Sequence, residues 1–377
     1  MIKKLYIDNY RCFNNFELTL EPLTLLLGPN GAGKTSVLEI IDSIRQFVSD
    51  GLSVEALTPA QSLTRWSTRL EQRFSLTVQL GSEEFTYELV VKHTPDRSKR
   101  KVITERLTCS GIQLFYFDDQ AFGHLCDDNG VERAQAPFDW SRSTLGVLRS
   151  GPDNTKLTRF REWLDRIQLV RPNPRSMESR SEKSTALFDP SLRDFASWLR
   201  GRFEEDPAGP YNMINELKQV LDGFVGLKNQ SLGGDFRRLE AQLASLESDS
   251  LPSEPPYSIA FDELSDGQKL LISLYAVLIL SLSTDKVLLI DEPDNYLGLA
   301  EVQPWFNRLQ DMLVTSGGQA ILVSHHPEIL NQAAVQSGRW LSRPGNAQVR
   351  VRAFREIADK FEGAAPNAEI IARGWTS

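Results

Sequence analysis

The 377-residue chain has 41% hydrophobic residues, enough for a sizeable core, and a formal net charge of -8, which argues against wholesale coating of nucleic acid but leaves room for a local basic groove. Cys12, Cys109 and Cys126 are too scattered for a C-x-x-C metal site and too few for a disulfide framework, so a reducing cytoplasm is the expected compartment. The longest apolar run, residues 270–282, is shorter than the about 20 residues a bilayer span needs. The start MIKKLYIDNY is charged and alternating rather than a signal peptide, and no membrane partner is expected.

Residues 2–7 read as a strand, NYRCFNNF as a turn, and Phe16, Leu18 and Leu20 alternate in a second strand. The apolar run 23–27 ends in GPNGAGKT, residues 28–35, which satisfies G-x-x-x-x-G-K-[ST] between a strand and a helix. A nucleotide phosphate is therefore the first ligand to expect. Gly28, Gly31 and Gly33 permit backbone conformations that turn successive N–H groups onto phosphates. Lys34 adds a point charge for the β- and γ-phosphates, and the Thr35 hydroxyl can ligate Mg²⁺. Val37, Ile40, Ile41, Ile44 and Phe47 then recur at helical spacing, in a helix whose N-terminus points at the same anion.

Residues 74–117 form alternating segments, FSLTVQL, FTYELVV, KVITERL and IQLFYF, that predict an antiparallel meander. One of its turns carries Arg97, Lys99, Arg100 and Lys101. In an acidic chain a solvated turn is the plainer reading of that cluster, and a phosphate contact the sharper one. Residues 118–152, rich in Asp, Gly and Ser, are expected to be a long surface excursion. A helix over 158–167 precedes IQLVRPNP, a strand ended by prolines. NPRSMESRSEKS is polar and expected to be mobile, and helices are expected over 192–203 and 211–221. FRRLEAQLASLE fits a helix through Leu239, Leu243 and Leu246 and a strand through Leu239, Ala241 and Leu243; a helix is expected. SLPSEPP reads as a linker and YSIAF as a strand, with no internal repeat and no sustained heptads.

LSDGQ, residues 264–268, opens a helix that is apolar nearly all round and so buried. Alone, SDGQ reads as a capped helix start; the Ser-x-Gly pair also offers a hydroxyl and N–H donors to an anion. KVLLIDEP then delivers Asp291 and Glu292 to the end of a buried strand, where Asp291 suits a water-mediated Mg²⁺ contact and Glu292 can polarise an attacking water. AILVSHHP repeats the arrangement with His325 and His326, and a third strand-end motif in this order reads as a γ-phosphate sensor. WLSRPGNAQVRVRAF reads as a hairpin.

In the order GPNGAGKT, LSDGQ, LLIDEP and SHHP, these motifs resemble the ATPase head of the ABC superfamily. The NYRCF start makes the chain similar to the non-transporter branch: SMC-like, RecF-like and overcoming-lysogenization-defect (OLD) proteins and compact AAA-family ATPases of bacterial anti-phage systems. The resemblance implies an α/β P-loop fold with a mixed central sheet, an antiparallel β subdomain and a helical signature lobe. It divides the chain into an N-terminal head part over 1–170, a helical or variable insertion over 171–256, and a C-terminal head part over 257–377. It further implies ATP and Mg²⁺ as cofactors, with Asn30, Gly31, Ala32, Gly33, Lys34, Thr35 and Ser36 on the phosphates and Thr35 and Asp291 on the metal. Glu292 would be the catalytic base, assisted by Lys34, and His325 the switch histidine, with His326 its neighbour. Ser265, Gly267 and Gln268 would meet ATP held by a second subunit, so that ATP joins a head-to-head homodimer. Asp266 departs from the family's LSGGQ and puts an anion near a polyphosphate, so closure is expected to need a partner or a basic neighbour. Gly298 stands where many relatives carry an acid, and Gln113, Gln120 and Gln135 are all open as the family's glutamine-loop residue.

The role expected is an ATPase switch controlling a separate nuclease or toxin in anti-phage defence. Related OLD enzymes carry a Toprim nuclease that needs an Asp-x-Asp pair, which this sequence lacks, so that activity is expected on another polypeptide. The alternatives are a RecF- or SMC-like ATPase that clamps DNA for repair, and an ATP-gated structural module with little turnover.

Overall fold

The computed structural model describes residues 1–117, 122–137, 139–244, 255–361 and 365–376. The chain begins with β1 (Ile2–Asp8), β2 (Phe16–Thr19) and β3 (Leu23–Leu27), and the glycine-rich loop leads into α1 (Lys34–Ser49). After α2 (Val54–Leu57) come β4 (Glu71–Leu80), β5 (Glu83–His93), β6 (Arg100–Cys109), β7 (Ile112–Phe117), β8 (Phe122–Cys126) and β9 (Glu132–Pro137). The middle contains α3 (Thr144–Val147), α4 (Thr155–Leu164), β10 (Ile167–Val170), β11 (Arg180–Ser181), α5 (Phe195–Glu205), α6 (Ala208–Val220), β12 (Phe224–Gly233), β13 (Phe236–Leu243) and β14 (Tyr257–Ala260). The last third is α7 (Asp266–Ser281), β15 (Val287–Asp291), α8 (Leu299–Ser316), β16 (Gln319–Val323), α9 (Pro327–Ser337), β17 (Gly338–Ser342), β18 (Arg350–Ala353), α10 (Arg355–Ala358) and α11 (Asn367–Ala372).

The central sheet has the order β10-β15-β16-β3-β17-β18; the first five strands are parallel and β18 is antiparallel at the edge. Successive side chains go to opposite faces, and both faces are covered, which is why β3, β15 and β16 read as near-continuous apolar runs. Leu26, Val287, Leu289, Ile321 and Val323 share one core with α1 and the antiparallel sheet. Leu25, Leu27, Leu288, Ile290, Ala320 and Leu322 share the other with α5 to α9. Within that second core α7 is buried from Lys269 to Leu278, each large apolar side chain contributing about 1.5–3 kcal/mol. The parallel order sends the loops after β3, β10, β15 and β16 to one edge, and the chemistry gathers there.

The meander expected over 74–117 forms within an eight-stranded antiparallel sheet, β2-β1-β4-β5-β6-β7-β8-β9. That sheet runs on into the segment expected to be a surface excursion: β8 pairs with β7 and β9, and His124 stacks on Tyr116 at 4.1 Å between ring centroids. The Asp- and Gly-rich composition marks only the turn, where Asp127 Oδ1 accepts from the N–H groups of Asn129 and Val131. The other correction is FRRLEAQ, which is β13 and not a helix. Leu239 and Ala241 are buried on one face, β12 and β14 flank the strand, and Gly233 and Gly234, with φ of 105° and 54°, form the hairpin turn that a local count of leucines overlooks. The stretch 171–256 therefore carries a small sheet beside α5 and α6.

Candidate active site

The glycine-rich loop is held from both sides. Gly28 has φ of 143°, and a Cβ there would lie 2.1 Å from the Leu341 carbonyl oxygen of β17. Gly33, with φ of 96°, packs against the NYRCF turn, where a Cβ would meet the Phe13 ring at 2.7 Å and Cys12 Sγ at 2.9 Å. Asn30 and Gly31 are exposed at the tip and Ala32 is buried, its N–H donating to Pro29 O. Lys34 folds back into the loop and donates to Gly28 O at 2.7 Å and Pro29 O at 3.2 Å, bonds that an incoming phosphate would replace. Burial pushes its pKa down, and the Glu292 and Asp291 carboxylates push back.

Thr35 donates to Asp291 Oδ1 at 3.2 Å, joining the start of α1 to the end of β15. A hydroxyl and a carboxylate at this separation are a hard-oxygen pair that fits Mg²⁺ together with phosphate oxygens and water. Among the described residues no cluster of three or more His, Cys, Asp or Glu could hold a metal without such help. Asp291 is buried, which raises its pKa, while the Arg171 guanidinium and the Thr35 hydroxyl pull it back down. Arg171 Nε donates to Asp291 Oδ2 at 2.9 Å and its Nη2 to Glu39 Oε1 at 3.2 Å; Glu39 in turn pairs with Arg11, which donates to Ser36 Oγ at 2.9 Å. Asp291, Arg171, Glu39 and Arg11 thus form a chain of alternating charge beside the glycine-rich loop.

Glu292 is left-handed, φ 49°, a conformation that costs a non-glycine residue on the order of 1 kcal/mol and persists only where its surroundings impose it. Its N–H donates to Val323 O, and its carboxylate accepts from Asn295 Nδ2 at 3.0 Å. His325 stands exposed just beyond β16, with a pKa pushed down by partial desolvation and by the Lys34 ammonium. His326 instead caps α9, its Nδ1 accepting from the Glu328 N–H.

The LSDGQ residues form a capping box at the start of α7, with Ser265 Oγ accepting from Gln268 N and Gln268 Oε1 accepting from Ser265 N. A Cβ on Gly267 would lie 3.1 Å from Tyr296 O, in the segment after Glu292. Asp266 has two basic neighbours, Arg175 at 3.1 Å and Lys269 at 3.1 Å, and Arg175 also lies over the Tyr296 ring. These cations hold its pKa below the usual range and neutralise the anion introduced into the motif. Lys34, Thr35, Asp291, Glu292 and His325 thus come together, whereas among the described residues no hydrogen bond or ion pair joins Ser265, Gly267 or Gln268 to them. The connection is RPNPR, residues 171–175, gripping Asp291 with its first residue and Asp266 with its last.

Sequence reasoning missed Arg171, Arg175 and Asn295; the only signal was two arginines flanking a proline-bounded strand end. Gln113 donates to Leu107 O and Phe115 O inside the antiparallel sheet, Gln135 lies on β9, and Gln120 falls outside the described residues. The position beside Asp291, at the end of the neighbouring strand, belongs to Arg171. Gly298 caps α8, its N–H donating to Glu301 Oε2 at 2.7 Å.

Residues 1–120 match a family model described as an AAA ATPase domain, and residues 158–331 match a second AAA-domain model whose description also names the AbiEii toxin and the Type IV TA system. The OLD nuclease of Thermus scotoductus (strain ATCC 700910 / SA-01) is 50% identical over 374 residues, which cover 94% of this chain and 65% of that protein. The chain thus spans less than two thirds of this relative's length. Among solved structures, the SMC head bound to the C-winged helix domain of ScpA superposes with a TM-score of 0.56 at 14% identity, over 94% of this chain and 99% of that one. An SMC head with an extended coiled coil, bound to the C-terminal domain of ScpA derived from Pyrococcus furiosus, gives 0.50 at 13%, over 96% and 98%. These two likenesses concern the fold alone. By motif order and sequence relationship, the chain is an ABC-like P-loop ATPase head related to the OLD nuclease.

Proposed function

We propose that this head binds and hydrolyses ATP, closes head-to-head with a second copy when ATP is bound, and uses that cycle to control a nuclease or toxin effector in anti-phage defence. The observation that carries the reading is the convergence of Lys34, Thr35, Asp291, Glu292 and His325 on one sheet edge, with Ser265 and Gly267 set apart from it. Mg²⁺, when held by Thr35 and Asp291, supplies charge neutralisation at the phosphates. Lys34 leaves the loop carbonyls for the β- and γ-phosphates, and loop N–H groups replace phosphate hydration. Glu292, fixed by Asn295, takes a proton from the water whose oxygen attacks the γ-phosphorus, and ADP leaves with the electrons of the broken P–O bond. His325 donates to the γ-phosphate oxygens, and the second copy's signature completes the enclosure. The effector part of the reading is supported by the name of the relative, a nuclease whose length exceeds the region matched here.

Glu292→Gln tests the core of the proposal. It should abolish phosphate release, a loss of at least about 100-fold, while keeping nucleotide affinity, and should shift the protein to a dimer in ATP but not in ADP, as read by light scattering. Turnover unchanged by Glu292→Gln, or a monomer under every nucleotide condition, overturns it.

A further inference from the structure

Three of the four cations of the PDRSKRK turn, Lys99, Arg100 and Lys101, gather around one cavity. Together with the end of β5 and the start of β6, the turn borders a cavity of about 540 Å³ whose far wall is Trp140, a residue 39 positions beyond Lys101 in the chain (140 minus 101). The Trp140 carbonyl accepts from Val102 N, docking the indole beside β6, and Lys101 Nζ lies 5.1 Å from the ring centroid. The indole is nevertheless 49% exposed.

Lys92, Lys99, Arg100 and Lys101 line this cavity, and among the described residues Glu55 is the sole acid on its wall. Arg100 turns to the Glu55 backbone oxygen at 3.3 Å, and among the described residues Lys99, Arg100 and Lys101 have no carboxylate within ion-pair distance. In a chain with eight more acidic than basic residues (50 minus 42), three uncompensated cations around one cavity are a local positive field. Behind its wall two fully buried polar atoms also lack partners. The Gln72 amide donates to Asn9 O and Ser62 O, so its oxygen faces His93 Nε2, which must carry the proton. That leaves His93 Nδ1 a buried acceptor without a donor, and Arg100 Nε is a buried donor without an acceptor. Buried polar atoms are rarely left so.

A flat aromatic surface and clustered cations together suit a ligand with a base and a phosphate. We propose that this cavity binds a nucleoside phosphate, the base against Trp140 and the phosphate against Lys99, Arg100 and Lys101. The ligand is either a free nucleotide or one unit of a single strand, the shared chemistry being the same. The site lies on the antiparallel sheet, away from the glycine-rich loop, and does not depend on that loop's chemistry.

The test uses the full chain without ATP or Mg²⁺ and a fluorescein-labelled hexathymidylate followed by anisotropy at about 50 mM salt. Trp140→Ala should weaken binding about 10-fold and Trp140→Phe should restore most of it, since any aromatic face can stack. Replacing Lys99, Arg100 and Lys101 by Gln should weaken binding further and reduce the salt slope by about 2, at about 0.7 for each phosphate left unneutralised on a single strand. Competition by thymidine monophosphate identifies a free-nucleotide site, and failure to compete identifies a strand site; both support the inference. Absence of binding to either probe, or binding that neither the Trp140 nor the triple variant changes, overturns it.

Discussion

Arg171→Ala is the most informative single change, because its two expected effects have opposite signs. Without nucleotide, Arg171 donates to Asp291 and Glu39, and Asp291 is only 5% exposed. Hydrogen bonds to charged groups contribute about 1.5–3 kcal/mol each, but the guanidinium is 43% exposed and water recovers part of that, leaving about 1–2 kcal/mol of lost stability. The cation also sits where it opposes Mg²⁺. Its removal should strengthen Mg²⁺ binding in the presence of ATP by about 5- to 30-fold, the same 1–2 kcal/mol returned when the metal becomes the only cation on Asp291. Urea unfolding without ligand and a Mg²⁺ titration monitored with a fluorescent ATP analogue measure the two effects. An unchanged unfolding midpoint, or a weaker Mg²⁺ response in the variant, would refute the idea that Arg171 holds the metal-supporting carboxylate until nucleotide arrives.

Glycine substitutions in the phosphate loop should separate space from conformation. Gly28→Ala puts a Cβ 2.1 Å from a backbone oxygen at φ 143° and should destabilise the protein by more than about 3 kcal/mol in thermal unfolding. Gly31→Ala, with φ 77° and nothing within 4 Å of the new Cβ, should cost only the backbone strain of about 1–2 kcal/mol. Burial and the nearby Arg100 and Arg97 charges push the His93 pKa from 6.5 to about 4. Between those values the unfolded chain binds the extra proton, so stability rises with pH there; the contribution is complete above pH 6.5 and disappears as pH falls towards 4. A His93→Gln variant should therefore lose about 2 kcal/mol less than the wild type between neutral pH and pH 4.5. Parallel acid limbs in urea unfolding would contradict this.

Much of the phosphate-binding edge is legible in the chain because each part is local. A short run of about five apolar residues suits an interior parallel strand, and GPNGAGKT, DEP and SHHP each follow such a run, so strand and motif identify one another. The α/β class and the hairpin near the end of the chain are readable for the same reason. FRRLEAQ misleads because both periodicities fit its leucines, and the choice is made by two neighbouring strands and a Gly-Gly turn outside the window.

Amino-acid order alone specifies the nucleotide loop, the strand-end carboxylates and histidine, and the helix that LSDGQ opens, because backbone conformation and burial at those places follow from neighbours in the chain. Which charges meet is settled at the tertiary level. Arg171 reaches Asp291 across 120 positions, Arg175 reaches Asp266 across 91, and Trp140 comes to lie beside Lys101. A charged or aromatic side chain on a surface has many partners of equal chemistry available, and nothing in its local spacing selects among them. The selection follows from where the packed sheets and helices place each backbone, and so it appears only once the two cores are assembled.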